Sequence, residues 1–228
     1  MLMRVIEAVL VEPVGCLAEF AHQDFVDIAA QVFHRPDGPI VSGSAAYWRL
    51  LDDMAGNLSG VGHTAQAEIE RGEIRAVDGA TLYEDVVPSL SELKSLGLQL
   101  IVASSLSAGA VTRFLETHAL GEFFSAVCTR DTAGGVKDVP LVSALQRWSL
   151  DPTRVMFITD TAEGLHTAKR VGVNAILMMN DPDEAMKLTE LDPAGGIVSL
   201  HELPDFVRLV LAENGQAAWA PPHSERRT

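Results

Sequence analysis

A short apolar run followed by a longer helical stripe, repeated along most of the chain, is the feature that most narrows what this sequence can fold into. Val5-Val11, Leu98-Ala103, Ala126-Cys128, Val155-Thr159 and Ala175-Met179 are brief and mostly apolar, as strands buried on both faces are. Between them apolar residues recur at helical spacing. Pro88 lies at the opening of a stripe whose Leu90, Leu93 and Leu96 share a face, and Gly97 stops it. Val111, Phe114, Leu115 and His118 form the next stripe, before Gly121. Leu141, Ala144, Leu145 and Trp148 form another, and Leu165, Ala168 and Val171 precede Gly172. Strand alternating with helix predicts an α/β fold built on a doubly wound parallel sheet.

The interval from Leu17 to Asp85 departs from that alternation. Stripes such as Phe25-Ile28-Ala29-Val32 and Tyr47-Leu50-Leu51-Met54 are helical, and no strong strand separates them. An all-helical insertion over 17–85 is therefore expected directly after the first strand, with the α/β core drawn from 1–16 and 86–213. Beyond Glu213, the run from Asn214-Gly215-Gln216 to Arg226-Arg227-Thr228 lacks an apolar face, which predicts a flexible tail over 214–228.

Composition sets outer bounds. With 228 residues, 47% of them hydrophobic, the chain can bury one good core and a small second lobe, as a monomer or homodimer. A net charge of -14 argues against nucleic acid and anionic membranes as partners, because a phosphate backbone repels such a surface. Met1-Leu2-Met3-Arg4 does not open a secretory leader, and no apolar run approaches a membrane span. Cys16 and Cys128 have no metal-ligand spacing, so a reduced, cytoplasmic setting is expected.

The residues that follow the strands carry the chemistry. The first run reads Val9-Leu10-Val11-Glu12-Pro13-Val14-Gly15-Cys16-Leu17, and the second ends in Ser104-Ser105. Lys137 stands in Gly134-Gly135-Val136-Lys137-Asp138. A later run continues as Thr159-Asp160-Thr161-Ala162-Glu163-Gly164-Leu165, with Ala168 and Gly172 beyond. In order and spacing this set resembles the motifs of the haloacid dehalogenase-like (HAD) phosphohydrolases, from about Val5 to about Val198. The resemblance implies a Rossmann-like core with a helical cap over the active site. It also implies a phosphate cradle at Ser104, Ser105 and Lys137. A Mg²⁺ site would use Glu12, the main-chain carbonyl of Val14 and Asp160, and the ligand would be a small phosphorylated molecule or another anion.

The first motif of that family reads hhhhDxDGTL, and here both aspartates are replaced. The family's first Asp attacks phosphorus and its second protonates the leaving oxygen; Glu12 and Val14 stand in their places. The extra methylene of Glu12 moves its carboxylate by about 1 Å, a misplacement that can lower a rate roughly 10²-fold. Val14 has no proton to donate, and a positioned general acid is worth about 10² to 10⁴-fold. Pro13 lacks the N–H that in this family helps cradle the phosphoryl group. In the later motif, Thr159 replaces the usual Gly and Gly164 stands where many members have a second Asp.

These residues predict a HAD-fold protein without phosphatase turnover that acts by binding a phosphorylated ligand or partner. The alternative is a weak or unusual Mg²⁺-dependent phosphatase acting on a small phosphate ester, using Glu12 or another acid together with Lys137. Blander roles stand beside each assignment: Glu12 as a carboxylate paired with Lys137, Ser104 and Ser105 as turn and cap residues, Asp160 as a helix cap. Cys16 reads as a small half-buried residue before a thiol nucleophile, and the histidines show no ligand or triad spacing. Phosphonate cleavage would need a cap lysine, and there is no Lys between Leu17 and Asp85. The dehalogenase pattern around Thr159-Asp160-Thr161 is likewise missing.

Overall fold

The computed structural model describes residues 6–35, 42–57 and 62–213; the tail expected over 214–228 lies outside them. The chain runs β1 (Ala8–Val11), α1 (Pro13–Cys16), β2 (Ala18–Glu19), α2 (His22–Phe33), α3 (Gly43–Asn57), α4 (His63–Asp78), β3 (Thr81–Leu82) and α5 (Val86–Ser95). It continues with β4 (Gln99–Ala103), α6 (Ala108–Thr117), β5 (Ala126–Cys128), α7 (Arg130–Ala133), α8 (Asp138–Arg147), β6 (Val155–Thr159) and α9 (Ala162–Val171). β7 (Asn174–Met178), α10 (Pro182–Leu188), β8 (Gly195–Ile197) and α11 (Glu202–Glu213) complete it.

Six strands form one parallel sheet in the order β5-β4-β1-β6-β7-β8. β1 lies in its interior, with Val9 opposite Leu100 of β4 on one side and Met156 of β6 on the other. The chain first winds outward through β4 and β5, then returns to begin the other half at β6. The switch point of this α/β sheet therefore lies between β1 and β6, where ligand sites form at the carboxyl ends.

Successive β1 residues feed opposite faces. Val9 and Val11 join a cluster with α2–α6 and α11, while Ala8 and Leu10 join one with α8 and α9. All four are 0% exposed, which explains why the strand reads as apolar throughout. It is shorter than the expected Val5-Val11: Ile6 and Glu7 precede the strand, and Val5 lies outside the described residues.

Helices α2, α3 and α4 occupy the interval between β2 and β3. They pack mainly through the two stripes named above, with Phe25, Ile28, Tyr47, Leu50, Leu51 and Met54 buried. The interval also holds a short antiparallel ribbon, in which Ala18 pairs with Leu82 and Glu19 with Thr81. Strands of two residues carry no periodicity, so the sequence pattern had not shown them. Among the described residues no helix is long and apolar enough to cross a membrane.

Candidate functional site

Glu12 leaves the carboxyl end of β1 and enters a tight turn. Val14 (φ -67°, ψ 118°) and Gly15 (φ 76°, ψ -14°) have the central dihedrals of a type II turn, which requires a left-handed residue in second place. Gly15 is required for space as well: a Cβ there would lie 2.0 Å from Ser44 Oγ and 2.2 Å from Asp160 Oδ2. The turn therefore folds directly against both α3 and the end of β6.

The Glu12 side chain turns into the protein, where it is only 4% exposed. Its Oε1 accepts from the Ser104 hydroxyl at 2.6 Å; its Oε2 accepts from the Ser105 amide at 3.2 Å and the Tyr47 hydroxyl at 3.1 Å. Burial pushes the carboxyl up to about 7, with the donors from Ser104, Ser105 and Tyr47 holding it lower than burial alone would. Glu12, Ser104 and Ser105 lie together, in a relation that the sequence does not show. Ser104 and Ser105, expected to hold a phosphoryl group, hold Glu12.

Lys137 departs from expectation too. Its backbone amide donates to Ser105 Oγ at 2.7 Å, which fixes the segment beside the cradle. Its ammonium pairs with Asp52 of α3, and not with Glu12 or with the cradle. The residue has φ 63° and ψ -112°, a conformation that side chains rarely adopt and that the Ser105 bond helps hold.

Asp160 follows β6, and its Oδ2 accepts from Ser44 at 2.5 Å and Asn180 at 3.2 Å. Asn180 also donates to the Gly15 carbonyl at 2.8 Å, tying the turn to β7's end. Burial raises Asp160 to about 6. It does not cap α9, since Thr161 accepts from Gly164 N in that role. The two departures from the family pattern nearby are coupled: a Cβ at Gly164 would lie 1.8 Å from Thr159 Oγ1, so Thr159 fills the room an acidic side chain at 164 would need.

A cation at the Mg²⁺ set of Glu12, the Val14 carbonyl and Asp160 would have to displace donors already in place. Hydroxyl and amide hydrogens already point at both Glu12 oxygens and at Asp160 Oδ2. Among the described residues no group of three or more His, Cys, Asp or Glu is placed to hold a metal. Cys16 is buried and donates to the Ile158 carbonyl at 3.4 Å; burial, then the charges of Asp160 and Glu12, push its thiol up, which removes it as a nucleophile.

Four polar residues of the site were not anticipated. Ser44, Tyr47 and Glu73 come from α3 and α4, and Asn180 follows β7. Glu73 accepts from Ser107 N at 3.0 Å and pairs with Arg130; the two side chains are 0% and 7% exposed. A signal for Glu73 was present, because it shares an apolar face with Ile69, Ala76 and Val77. Tyr47 heads an apolar stripe and reads as core, which it is in all but its hydroxyl.

The sequence profile of the family described as haloacid dehalogenase-like hydrolase matches residues 61–178, more than half of the chain. The match begins after the altered first turn. No curated protein matches the sequence. Among solved structures, a predicted phosphatase from Clostridium acetobutylicum superposes with a TM-score of 0.70 at 17% identity, covering 90% of this chain and 99% of that one. A haloacid dehalogenase-like family hydrolase from Streptococcus pneumoniae gives 0.68 at 15%, covering 88% and 98%. The L-2-haloacid dehalogenase from Xanthobacter autotrophicus gives 0.61 at 18%, covering 90% and 99%. At such identities the likeness is one of fold. Together with the profile match and the ordered residues at the strand ends, it leads to one assignment: the chain belongs to the haloacid dehalogenase-like hydrolase family.

Proposed function

We propose that this protein keeps the HAD fold without phosphoester turnover and acts by binding a ligand or partner. One observation carries the reading: the Glu12 carboxylate lies on the Ser104 hydroxyl and the Ser105 amide, the donors that the family resemblance assigns to a phosphoryl group. The cradle is filled by the chain's own acid. An attacking carboxylate needs a free lone pair aimed at phosphorus, whereas Glu12 is enclosed by donors. Val14 has no proton to give a leaving group, and the ammonium of Lys137 is engaged by Asp52. Fold relatives titled phosphatase or dehalogenase supply the weak-phosphatase alternative, and nothing in the turn from Glu12 to Cys16 supports it. No step of this reading passes through Mg²⁺.

The binding role falls to a cleft of about 860 Å³ between α4 and the segment 130–139, a volume in the range of small-molecule sites. His63, Gln66, Glu70, Asp131 and Lys137 are among its lining residues. Glu70, Asp131 and Asp138 share the cleft with Lys137 and Arg130, whose charges are engaged by Asp52 and Glu73, so the ligand proposed is not a dianion. Buried thiols at Cys16 and Cys128 suit a reducing, cytoplasmic setting. Purified protein assayed with Mg²⁺ against a broad panel of phosphate esters is expected to release no phosphate above background. Robust release that Asp160→Asn abolishes would overturn the reading.

A further inference from the structure

Helix α3 reaches three parts of the site. Ser44, in its first turn, donates to Asp160 Oδ2 at 2.5 Å; Tyr47, one turn on, donates to Glu12 Oε2 at 3.1 Å; Asp52 takes the ammonium of Lys137. The approach is close. A Cβ at Gly43 would lie 2.0 Å from the Phe20 carbonyl, just as one at Gly15 would lie 2.0 Å from Ser44 Oγ. Behind these contacts Tyr47, Leu50, Leu51 and Met54 are each 0% exposed, in the same apolar cluster as Val9 and Val11 of β1.

We propose that α3 is a fixed internal occupant of this site, a helix whose Ser44, Tyr47 and Asp52 permanently take the hydrogen-bonding and ion-pairing capacity of Asp160, Glu12 and Lys137. The inference rests on the reading of the site as closed to phosphate esters, and says what closes it from the side opposite β1. A lid that opens must part from the core without leaving buried polar groups unsatisfied. Withdrawal of α3 would strip a donor from Glu12 and another from Asp160. If α4 moved with it, Arg130 and the amide of Ser107 would lose Glu73 as well. Each orphaned group opposes opening, and the loss is largest where charge is buried. The apolar surface uncovered at the same time, from Tyr47 to Met54, adds to that resistance.

Hydrogen exchange on the full-length wild-type protein tests the proposal without reference to activity. The amides of Leu50–Met54 are expected to exchange within about tenfold of those of Val9–Val11, as parts of one cooperative unit. Exchange in α3 a hundredfold or more faster than in β1 would mean a helix that opens as a lid, and would overturn the proposal. In a Ser44→Ala, Tyr47→Phe double variant, exchange in α3 is expected to speed by at least tenfold relative to β6 and β7. Unchanged relative protection there would show that the polar contacts do not hold the helix in place, which also overturns it. Should the double variant not fold, Tyr47→Phe alone is read by the same criterion. Turnover by the wild-type enzyme would overturn the proposed function and leave this measurement standing, so the two can fail separately.

Discussion

The hydroxyl of Tyr47 donates to Oε2 of Glu12 at 3.1 Å, joining the first half of α3 to the end of β1 inside the protein. Both residues are buried, so the bond cannot be exchanged for water without moving the helix. Tyr47→Phe keeps the ring and removes only the donor. It is expected to lower unfolding stability by about 1–3 kcal/mol, the range for a buried acceptor that loses a partner. Urea denaturation at pH 7.5 measures it, and a change near zero would show that Glu12 does not rely on the phenol.

The pH dependence of stability follows from the same carboxyl. Glu12 has an ordinary value near 4.5 and stands at about 7 in the folded protein, so the folded state holds this proton over a range in which the unfolded chain has released it. Its contribution is greatest below pH 4.5, declines as pH rises through 4.5 to 7, and is constant above. At 1.36 kcal/mol per unit the span amounts to about 3 kcal/mol. Asp160, raised to about 6, acts in the same direction. Melting curves from pH 5 to pH 8 should therefore show the wild type losing stability relative to Glu12→Gln. Parallel curves would mean that Glu12 titrates as an exposed carboxylate does.

Glu73 and Arg130 make a different kind of contact. Their pairing is buried, and Glu73 also accepts from the amide of Ser107 at the start of α6. Glu73→Ala leaves the guanidinium with no carboxylate beside it other than Asp131, whose nearer oxygen is 3.7 Å from Nε, and leaves the Ser107 amide unsatisfied. A loss of about 3–5 kcal/mol is expected, as for other broken buried pairs. Replacing both residues, as Glu73→Leu with Arg130→Met, is expected to lose less than the single change. Equal losses in a denaturation series would mean that the pair is worth more as an attraction than it loses by desolvation.

The fold was legible because parallel strands buried on both faces leave apolar runs that amphipathic helices interrupt, and β1, β4, β6 and β7 show this clearly. β8 was not seen, since Gly195-Gly196-Ile197 offers a single apolar side chain to the sheet. Glu12, Ser104 and Ser105 were expected to be neighbours because all of them follow strand ends near the switch point. What they do to one another was not legible. The longer side chain of Glu12 reads in sequence as a displaced nucleophile; only the geometry shows it lying on the serines. Asp52 could not be matched to Lys137 from sequence either, because the pair spans 85 positions and joins α3 to the residue before α8.

If Glu12 fills the cradle as a tethered ligand, a free carboxylate should replace it once the tether is cut. Glu12→Ala removes a group with the size and shape of acetate and leaves three donors, from Ser104, Ser105 and Tyr47, around the vacated space. That variant is expected to be less stable than the wild type by several kcal/mol, on the order of 1–3 kcal/mol for each unsatisfied donor. Acetate should restore part of the loss, because a ligand that binds only the folded state stabilises it by RT ln(1 + [L]/Kd). Phosphate should do less. It is tetrahedral and at neutral pH about half dianionic, while the three donors are neutral and the ammonium of Lys137 is held by Asp52. Melting temperatures of Glu12→Ala in acetate, phosphate and chloride at matched ionic strength decide the matter, with the wild type as the control for general salt effects. A rise specific to acetate and confined to the variant is expected. A rise with phosphate and none with acetate would mean that the cradle has kept its preference for phosphoryl groups and that Glu12 only blocks it.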